Sequence, residues 1–205
     1  MCGIAGFSSY EEDYGICRGK WEEILETMNQ VQKRRGPDED GIFLDAHCGM
    51  AHVRLCILDL KRGQQPMSRH SQGRTCTICF NGEIYNMKAL RKELEAEGAI
   101  FQSDSDTEVF LVGYMLHGEN FVKRINGVFG AALWDSDKET LFLFRDRAGV
   151  KPLFYTKYRE TLVYASELKG ILAYPGMEAV ADTDTLCEIF ALGPAKTYGK
   201  GVLKD

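Results

Sequence analysis

The sequence lacks any long hydrophobic run, since no stretch approaches the roughly 18 apolar residues that a membrane span requires. The segment from Met1 to Phe7 has no basic region and too short an apolar run for a secretory signal. Positive charge is also scarce, because 25 Lys and Arg stand against 30 Asp and Glu for a net charge of −5. This balance argues against a basic surface that neutralises nucleic-acid phosphates. We therefore expect a cytoplasmic protein that binds neither membranes nor nucleic acid.

The seven cysteines show no paired spacing, and their odd count favours free thiols in a reducing compartment. Cys76 and Cys79 have the CxxC spacing of some zinc sites. In a strand, however, residues three apart point to opposite faces, so the two thiols could not hold one ion. A second pair of ligands is also missing from the sequence. We predict no metal site.

The order of predicted elements indicates an α+β fold. Helices are predicted at 20–34, 88–97, 106–117, 167–172 and 185–192. Strands are predicted at 2–7, 41–45, 49–53, 55–60 and 75–80, followed by a meander at 128–134, 141–145, 153–158 and 162–166. Because strands and helices do not alternate regularly, we expect mainly antiparallel sheets packed against helices. The length of 205 residues and the hydrophobic content of 44% fit one domain.

Two helix boundaries carry specific signals. Gly36-Pro37 is expected to end the first long helix, with Gly36 in a left-handed cap and Pro37 unable to continue the helix. Ser105 and Glu108 have the spacing of a capping box, which predicts a helix N-terminus at Ser105.

Cys2 is a candidate nucleophile. Its small side chain suits removal of Met1, which leaves a thiol and a free α-amine on one residue. The amine titrates near 7.7–8.0 and a free thiol near 8.5, so the amine is able to take the thiol proton. On position alone, a buried and unreactive thiol is the more common outcome.

Short motifs spread over the chain change that balance. They are, in order, Met1-Cys2-Gly3-Ile4-Ala5-Gly6, Arg35-Gly36-Pro37-Asp38, Ala51-His52-Val53-Arg54-Leu55, Ile57-Leu58-Asp59, Gln65-Pro66, Asn81-Gly82-Glu83-Ile84-Tyr85-Asn86, Ser105-Asp106-Thr107-Glu108 and Arg145-Asp146-Arg147-Ala148-Gly149-Val150-Lys151-Pro152-Leu153. Together they resemble the class II glutamine amidotransferase domain of glutamine-hydrolysing asparagine synthetases. Two positions depart from the family pattern, Arg34 in place of His and Phe144 in place of Gly.

The resemblance implies a four-layer α/β/β/α sandwich of the N-terminal-nucleophile hydrolase type. It also implies that Cys2 attacks the side-chain amide of glutamine and forms a γ-glutamyl thioester, which releases glutamate and ammonia. In the family pattern, Asn81 and Gly82 match the oxyanion hole.

Substrate-binding residues follow from the same resemblance. Arg54 matches the residue that binds the α-carboxylate of glutamine. Glu83 and Asp106 match the pair that binds its α-ammonium group. The backbone of Leu55, Ile57 and Leu58 matches the lining of the pocket. Taken singly, each of these residues also has a structural interpretation, such as a turn, a helix cap or a surface ion pair.

The resemblance further implies a C-terminal synthetase domain as a partner, with residues 193–205 as the start of the connection to it. ATP and Mg are expected only in that domain, because this sequence has no Ser-Gly-Gly-x-Asp-Ser loop. Glutamine hydrolysis itself is expected to need no cofactor, and the ammonia is expected to amidate aspartate. Another acceptor, an inactive docking domain and a homodimer stay open from the sequence.

Overall fold

The computed structural model describes residues 1–56, 63–71, 73–181 and 183–193. Within these ranges the strands are β1 (Gly3–Ser8), β2 (Glu39–Leu44), β3 (Cys48–Arg54), β4 (Met67–Ser71), β5 (Arg74–Ile84), β6 (Gly127–Asp135), β7 (Thr140–Arg145), β8 (Phe154–Tyr158) and β9 (Thr161–Ala165). The helices are α1 (Arg18–Gln32), α2 (Met87–Ala96), α3 (Asp106–His117), α4 (Leu168–Leu172) and α5 (Thr183–Leu192), with a 3-10 helix at Gly118–Arg124. No helix in the described part of the chain is long and apolar enough to cross a membrane.

The strands form two antiparallel sheets. The first sheet has the order β2-β3-β1-β9-β8, and the second has the order β4-β5-β6-β7. The first strand therefore lies in the centre of its sheet, where β3 pairs with one edge and β9 with the other. This central place fixes the start of the chain firmly in the fold.

Three apolar clusters separate four layers. One joins helices α1 and α4 to the first sheet and includes Phe7, Trp21, Leu25, Val163 and Ile171. A second joins α2 and α3 to the second sheet and includes Phe80, Leu94, Phe110, Ala131 and Leu133. The third lies between the sheets and contains Ile4, Cys48, Met50, Cys79, Ala132, Trp134 and Tyr164. The predicted α/β/β/α sandwich is confirmed.

Each central strand is buried on both faces, so alternation along it divides residues between two clusters. In β5, Cys76 packs towards the helices and Cys79 packs between the sheets. The two thiols of the CxxC segment therefore point to opposite faces, as the strand pattern predicts.

The predicted meander of four strands is wrong. β6 and β7 pair in the second sheet, whereas β8 and β9 pair in the first. The reason lies in the loop between them, where the carboxylate of Asp146 accepts hydrogen bonds from the N–H groups of Phe129, Val150 and Lys151 at 3.2, 2.9 and 3.0 Å. This loop carries the chain from one sheet to the other.

The prediction of a left-handed cap at Gly36 is also wrong, since its φ is not positive. Helix α1 ends earlier, at Gln32, and Lys33 continues as a turn in right-handed geometry. Gly36 is needed because its backbone lies against β3. A Cβ there would come within 2.3 Å of the amide nitrogen of Arg54 and the carbonyl carbon of Val53.

The Ser105 cap is confirmed, but the full capping box does not form. The Ser105 hydroxyl accepts from the N–H of Thr107 at 3.2 Å. The Glu108 carboxylate turns instead to the N–H groups of Gln102 and Ser103, at 2.8 and 2.6 Å, and to Arg69 at 2.9 Å.

Of the predicted strand at 55–60, the structure describes Leu55 and Cys56, and both lie outside any strand. Residues 57–60 lie outside the described residues, as do residues 194–205. The division of the chain into a single domain followed by a connection at 193–205 stays a prediction.

Candidate active site

Alternation along three strands directs the predicted site residues to one layer of the fold. Ile4 and Met50 pack between the sheets, so Cys2 before β1 and Arg54 in β3 project to the same side. Cys79 does so in β5, which places Asn81 and Glu83 on that face. The inter-sheet layer is apolar in its middle and becomes polar at this end.

A cavity of about 190 Å³ opens at this polar end. Its lining contains seven residues that the sequence predicts for the site, namely Cys2, Arg54, Leu55, Asn81, Gly82, Glu83 and Asp106. It also contains Met1, Gly63, Gln65, Phe80, Ser105, Thr107 and Lys151. The other two predicted residues, Ile57 and Leu58, lie outside the described residues.

The backbone of Cys2 is held by an arginine from the Arg35-Gly36-Pro37-Asp38 motif. Arg35 donates its Nε to the carbonyl oxygen of Cys2 at 2.8 Å and pairs with Glu167 at 3.2 Å. The Cys2 thiol lies 3.8 Å from the carbonyl oxygen of Leu55. Cys2 is partly exposed and lines the cavity, and its backbone carbonyl is held by Arg35.

Asn81 brings an unpaired donor to the cavity. Its side chain is 2% exposed, and its Nδ2 meets no hydrogen-bond acceptor within the described part of the chain. A buried amide without a partner costs free energy, typically about 1–3 kcal/mol. Because Asn81 lines the cavity, its unpaired donor is suited to an oxygen of a bound molecule.

Gly82 is required by close packing. A Cβ at this position would come within 2.4 Å of the carbonyl oxygen of Val128 and 2.5 Å of the Cβ of Phe129. Its φ is not positive, so glycine is required here by packing and not by a left-handed backbone. The N–H of Phe80, two residues earlier, donates to Gln65. Alternation turns the N–H of Gly82 towards the same edge, where the cavity lies.

Gln65 completes this edge of β5, although no role beyond its motif is assigned to it from the sequence. Strand β4 begins at Met67, opposite Ile78, so the residues of β5 after Ile78 have no partner in β4. The Gln65 side chain accepts from the N–H of Phe80 at 2.6 Å and donates to its carbonyl oxygen at 3.1 Å. One amide side chain thus replaces a strand neighbour next to Asn81.

His52 binds the same carbonyl of Phe80 from the first sheet, at 3.2 Å. Burial lowers the pKa of His52 to about 4, the charge of Arg54 lowers it too, and the bond to Phe80 opposes the shift. The imidazole is therefore neutral near pH 7, and its Nε2–H is the donor because a carbonyl only accepts. His52 acts as a link between the sheets.

The two carboxylates of the cavity differ in environment. Glu83 is exposed, whereas Asp106 is 9% exposed at the first turn of α3. Burial raises the pKa of Asp106 to about 6, and the charge of Glu83 adds to the shift, while N–H groups of Ile84 and Thr107 oppose it. A cation bound between these carboxylates would favour the ionised form of Asp106.

Arg54 lines the same cavity as these carboxylates and is 5% exposed. Its Nη1 is 2.7 Å from a carboxylate oxygen of Glu39. The preceding motif supports this region, since Pro37 bridges to Arg54 and Asp38 accepts from the N–H of Cys56 at 2.8 Å. The sequence assigned this motif no catalytic role, and in the structure it contacts the backbone of Cys2, Arg54 and Cys56 without lining the cavity.

Lys151 is the second side chain that the sequence did not assign to the site. It lines the cavity beside Met1, whose sulfur lies 3.4 Å from its ammonium group. Its place depends on the Asp146 loop, because Asp146 accepts from the Lys151 N–H. The motif from Arg145 to Leu153 offered no signal for this, since contact with residue 1 arises only in the folded chain.

Comparison with known proteins identifies the family. A model of the glutamine amidotransferase domain matches residues 1–204. The chain belongs to the glutamine amidotransferase domain family. Among curated relatives, it is 42% identical over 204 residues to asparagine synthetase [glutamine-hydrolyzing] 3 of Bacillus subtilis strain 168, covering 100% of this chain and 33% of that protein. It is 43% identical over 172 residues to asparagine synthetase [glutamine-hydrolyzing] 1 of the same strain, covering 84% and 27%.

The amidotransferase fold is also found among solved structures. Glutamine phosphoribosylpyrophosphate amidotransferase from B. subtilis, complexed with ADP and GMP, matches with a TM-score of 0.69 at 22% identity, covering 84% of this chain and 43% of that one. This likeness confirms the expected N-terminal-nucleophile type of fold. The chain spans a third or less of the length of the two curated relatives, so it corresponds to the amidotransferase part of larger synthetases.

Proposed function

We propose that this amidotransferase domain hydrolyses L-glutamine to glutamate and ammonia, with Cys2 as the nucleophile. The observation that carries the proposal is the shared cavity of Cys2 and the unpaired amide of Asn81. A thiol beside a buried, unpaired donor suits attack on a carbonyl whose oxygen becomes negatively charged.

The reaction needs Cys2 at the N-terminus, after removal of Met1. The free α-amine accepts the thiol proton while sulfur bonds to the amide carbon of glutamine. Asn81 Nδ2–H and Gly82 N–H receive the oxyanion. When the C–N bond breaks, the amine returns the proton to the leaving nitrogen, and ammonia and a γ-glutamyl thioester result. Water then attacks the thioester, which releases glutamate and restores the thiol.

The remaining residues of the cavity suit the α-substituents of glutamine. Arg54 presents a planar guanidinium that fits a carboxylate, and Glu83 and Asp106 present negative charge for an ammonium group. Leu55 contributes backbone to the lining beside the thiol. We propose the same lining role for Ile57 and Leu58, as in the family pattern. No metal or cofactor takes part in these steps.

We further propose that the ammonia serves ATP-dependent amidation of aspartate in a synthetase domain of the full-length protein, in the cytoplasm. The two curated relatives are named glutamine-hydrolysing asparagine synthetases, which supports this acceptor. All seven cysteines are unpaired thiols, which agrees with a reducing compartment. ATP and Mg would bind in the synthetase domain. An acceptor other than aspartate is the second candidate, because the cavity residues are proposed to bind glutamine and none of them selects the acceptor.

The test is a glutaminase assay without ATP, combined with intact-mass measurement of the N-terminus. We expect protein that begins at Cys2 to release glutamate and ammonia in equal amounts. Cys2→Ala should abolish release and keep the fold, whereas Cys187→Ala, which removes an exposed thiol in α5, should leave the rate unchanged. Turnover by Cys2→Ala, or full activity with Met1 retained, would contradict the mechanism.

A further inference from the structure

Glu39 and Arg54 face each other across the pair β2 and β3. Phe43 in β2 and Met50 in β3 pack between the sheets, so alternation places Glu39 and Arg54 on that same inner face. Their side chains meet at 2.7 Å, from the Glu39 carboxylate to Nη1 of Arg54. The Arg54 side chain is 6% exposed and that of Glu39 is 35% exposed, so the pair joins an interior cation to an anion at the rim.

The pair stands between two cavities. Arg54 lines both the active-site cavity and a second, polar cavity of about 550 Å³, whereas Glu39 lines only the second. Glu39 therefore holds the guanidinium from the side away from Cys2. Because the guanidinium is a rigid plane, fixing Nη1 also fixes the directions of its other N–H groups.

We infer that Glu39 is a positioning residue that sets the affinity of the site for the α-carboxylate of glutamine. This inference rests on the proposed function, which gives Arg54 that carboxylate as its ligand. Glu39 acts through Arg54 and is directed away from the reacting bond, so it should influence substrate binding and leave the chemical step unchanged.

Glu39 has two opposing effects on substrate affinity, and the larger effect decides whether removal of Glu39 strengthens or weakens binding. Its negative charge reduces the attraction of Arg54 for a second carboxylate, but a rim carboxylate is screened by water and salt. Its hydrogen bond fixes the fork of Arg54, and a misdirected fork loses a two-point contact with the substrate. The loss of orientation is the larger effect, so removal of Glu39 should weaken binding.

The experiment is steady-state hydrolysis of L-glutamine by Glu39→Gln in the mature chain. We expect KM to rise about five- to tenfold, with kcat changed by less than about twofold. Glu39→Asp should recover part of the loss. Asp40→Asn is the matched control, since Asp40 is the next residue of β2 and pairs with Lys33 at the surface. Its KM should equal that of the parent chain.

A second measurement separates positioning from general distortion. A bound ligand should protect Cys2 from alkylation by iodoacetamide, and the extent of alkylation is measured by intact mass. L-glutamate and 4-aminobutyrate differ only by the α-carboxylate. Glu39→Gln should raise the concentration of L-glutamate that gives half-maximal protection about five- to tenfold. The corresponding concentration of 4-aminobutyrate should be unchanged.

Several results would overturn the inference. An unchanged KM in Glu39→Gln would mean that the ion pair with Arg54 has no effect on substrate binding. A lower KM would mean that Glu39 competes with the substrate carboxylate for Arg54. Equal weakening of both protecting ligands would indicate distortion of the cavity. If the parent chain neither hydrolyses glutamine nor is protected by L-glutamate, the proposed function fails first and this inference fails with it.

Discussion

Asn81 carries a cost in stability at the place where the reaction needs a donor. Its buried Nδ2 has no acceptor among the described residues, although buried amides are normally paired. Such a donor lowers the free energy of unfolding in the free enzyme. The cost is acceptable for catalysis because the donor needs no reorganisation when the oxyanion forms.

We therefore predict opposite effects of Asn81→Ala on turnover and stability. The kcat for glutamine should fall by about 10²–10³, the usual loss for one oxyanion donor. The free energy of unfolding should stay equal or rise, because an unpaired polar group is removed. Chemical denaturation and a glutaminase assay on the same sample check both. A large loss of stability would show that Asn81 is mainly structural.

Asp106 gives the site a pH dependence with a defined sign. Its pKa, raised to about 6 by burial and by Glu83, means that the free enzyme loses this negative charge as pH falls through about 6. The KM for glutamine should then rise from pH 7 to pH 5. Asp106→Asn should have a high KM at pH 7 and little further change on acidification. A wild-type KM that stays flat over this range would remove Asp106 from ammonium binding.

The raised pKa of Asp106 also predicts how the stability of the fold changes with pH. The folded chain holds this proton more tightly than the unfolded chain, whose Asp titrates near 3.9. Ionised Asp106 therefore destabilises the fold at neutral pH, and this contribution disappears as pH falls from about 6 towards 4. Asp106 and Asn81 thus both place a stability cost in the cavity that binds glutamine.

At the scale of elements, the loop after α1 shows what one glycine contributes. Gly36 packs directly on the backbone of Val53 and Arg54, which end β3 beside the cavity. Side chains cannot fit there without moving that strand. The neighbouring contacts of Arg35 with Cys2 and of Asp38 with Cys56 depend on the same close approach.

Gly36→Ala should lower the free energy of unfolding by about 2–3 kcal/mol, because the added methyl group overlaps backbone atoms. Gly19→Ala is the matched control, since Gly19 lies in α1 and a Cβ there meets no atom within 4 Å. The control should be neutral or stabilising by up to about 1 kcal/mol. Urea denaturation of the two variants checks the contrast, and equal stabilities would show that the loop adapts freely.

The sequence could predict the elements and their faces better than their partners. Alternation in β5 is local, so the opposite faces of Cys76 and Cys79 follow from a few residues. The separation of β6 and β7 from β8 and β9 involves Asp146, whose carboxylate joins its own loop to Phe129, 17 residues earlier in the chain. The hydrophobic pattern of each strand does not contain that information, since it shows which face of a strand is buried and not which strand pairs with it.

The same distinction applies to the candidate site. Motif order was enough to select Cys2, Arg54, Asn81 and Asp106, which the fold brings to one cavity. Gln65 and Lys151 reach this cavity through contacts with Phe80 and Met1, and such contacts between distant segments leave no periodic signal.

At the scale of the whole molecule, the proposed reaction depends on cleavage of the Met1–Cys2 peptide bond, which precedes the first strand. Met1 is 56% exposed, and its sulfur contacts Lys151 at the rim of the cavity. β1 begins at Gly3 and is secured by β3 and β9. The fold should therefore be the same whether the chain begins at Met1 or at Cys2.

Chain that retains Met1, prepared with an inhibitor of methionine aminopeptidase, should match the mature chain in thermal stability and lose glutamine turnover. The reason is chemical, since the amine that accepts the thiol proton would sit on Met1 and Cys2 would carry an amide nitrogen, which is not a base. Iodoacetamide should still alkylate the partly exposed Cys2 in both forms. Treatment with the aminopeptidase should restore turnover to the level of the mature chain. Activity before that treatment would mean that a side chain takes the proton, and Lys151 at the rim would then be the first residue to replace.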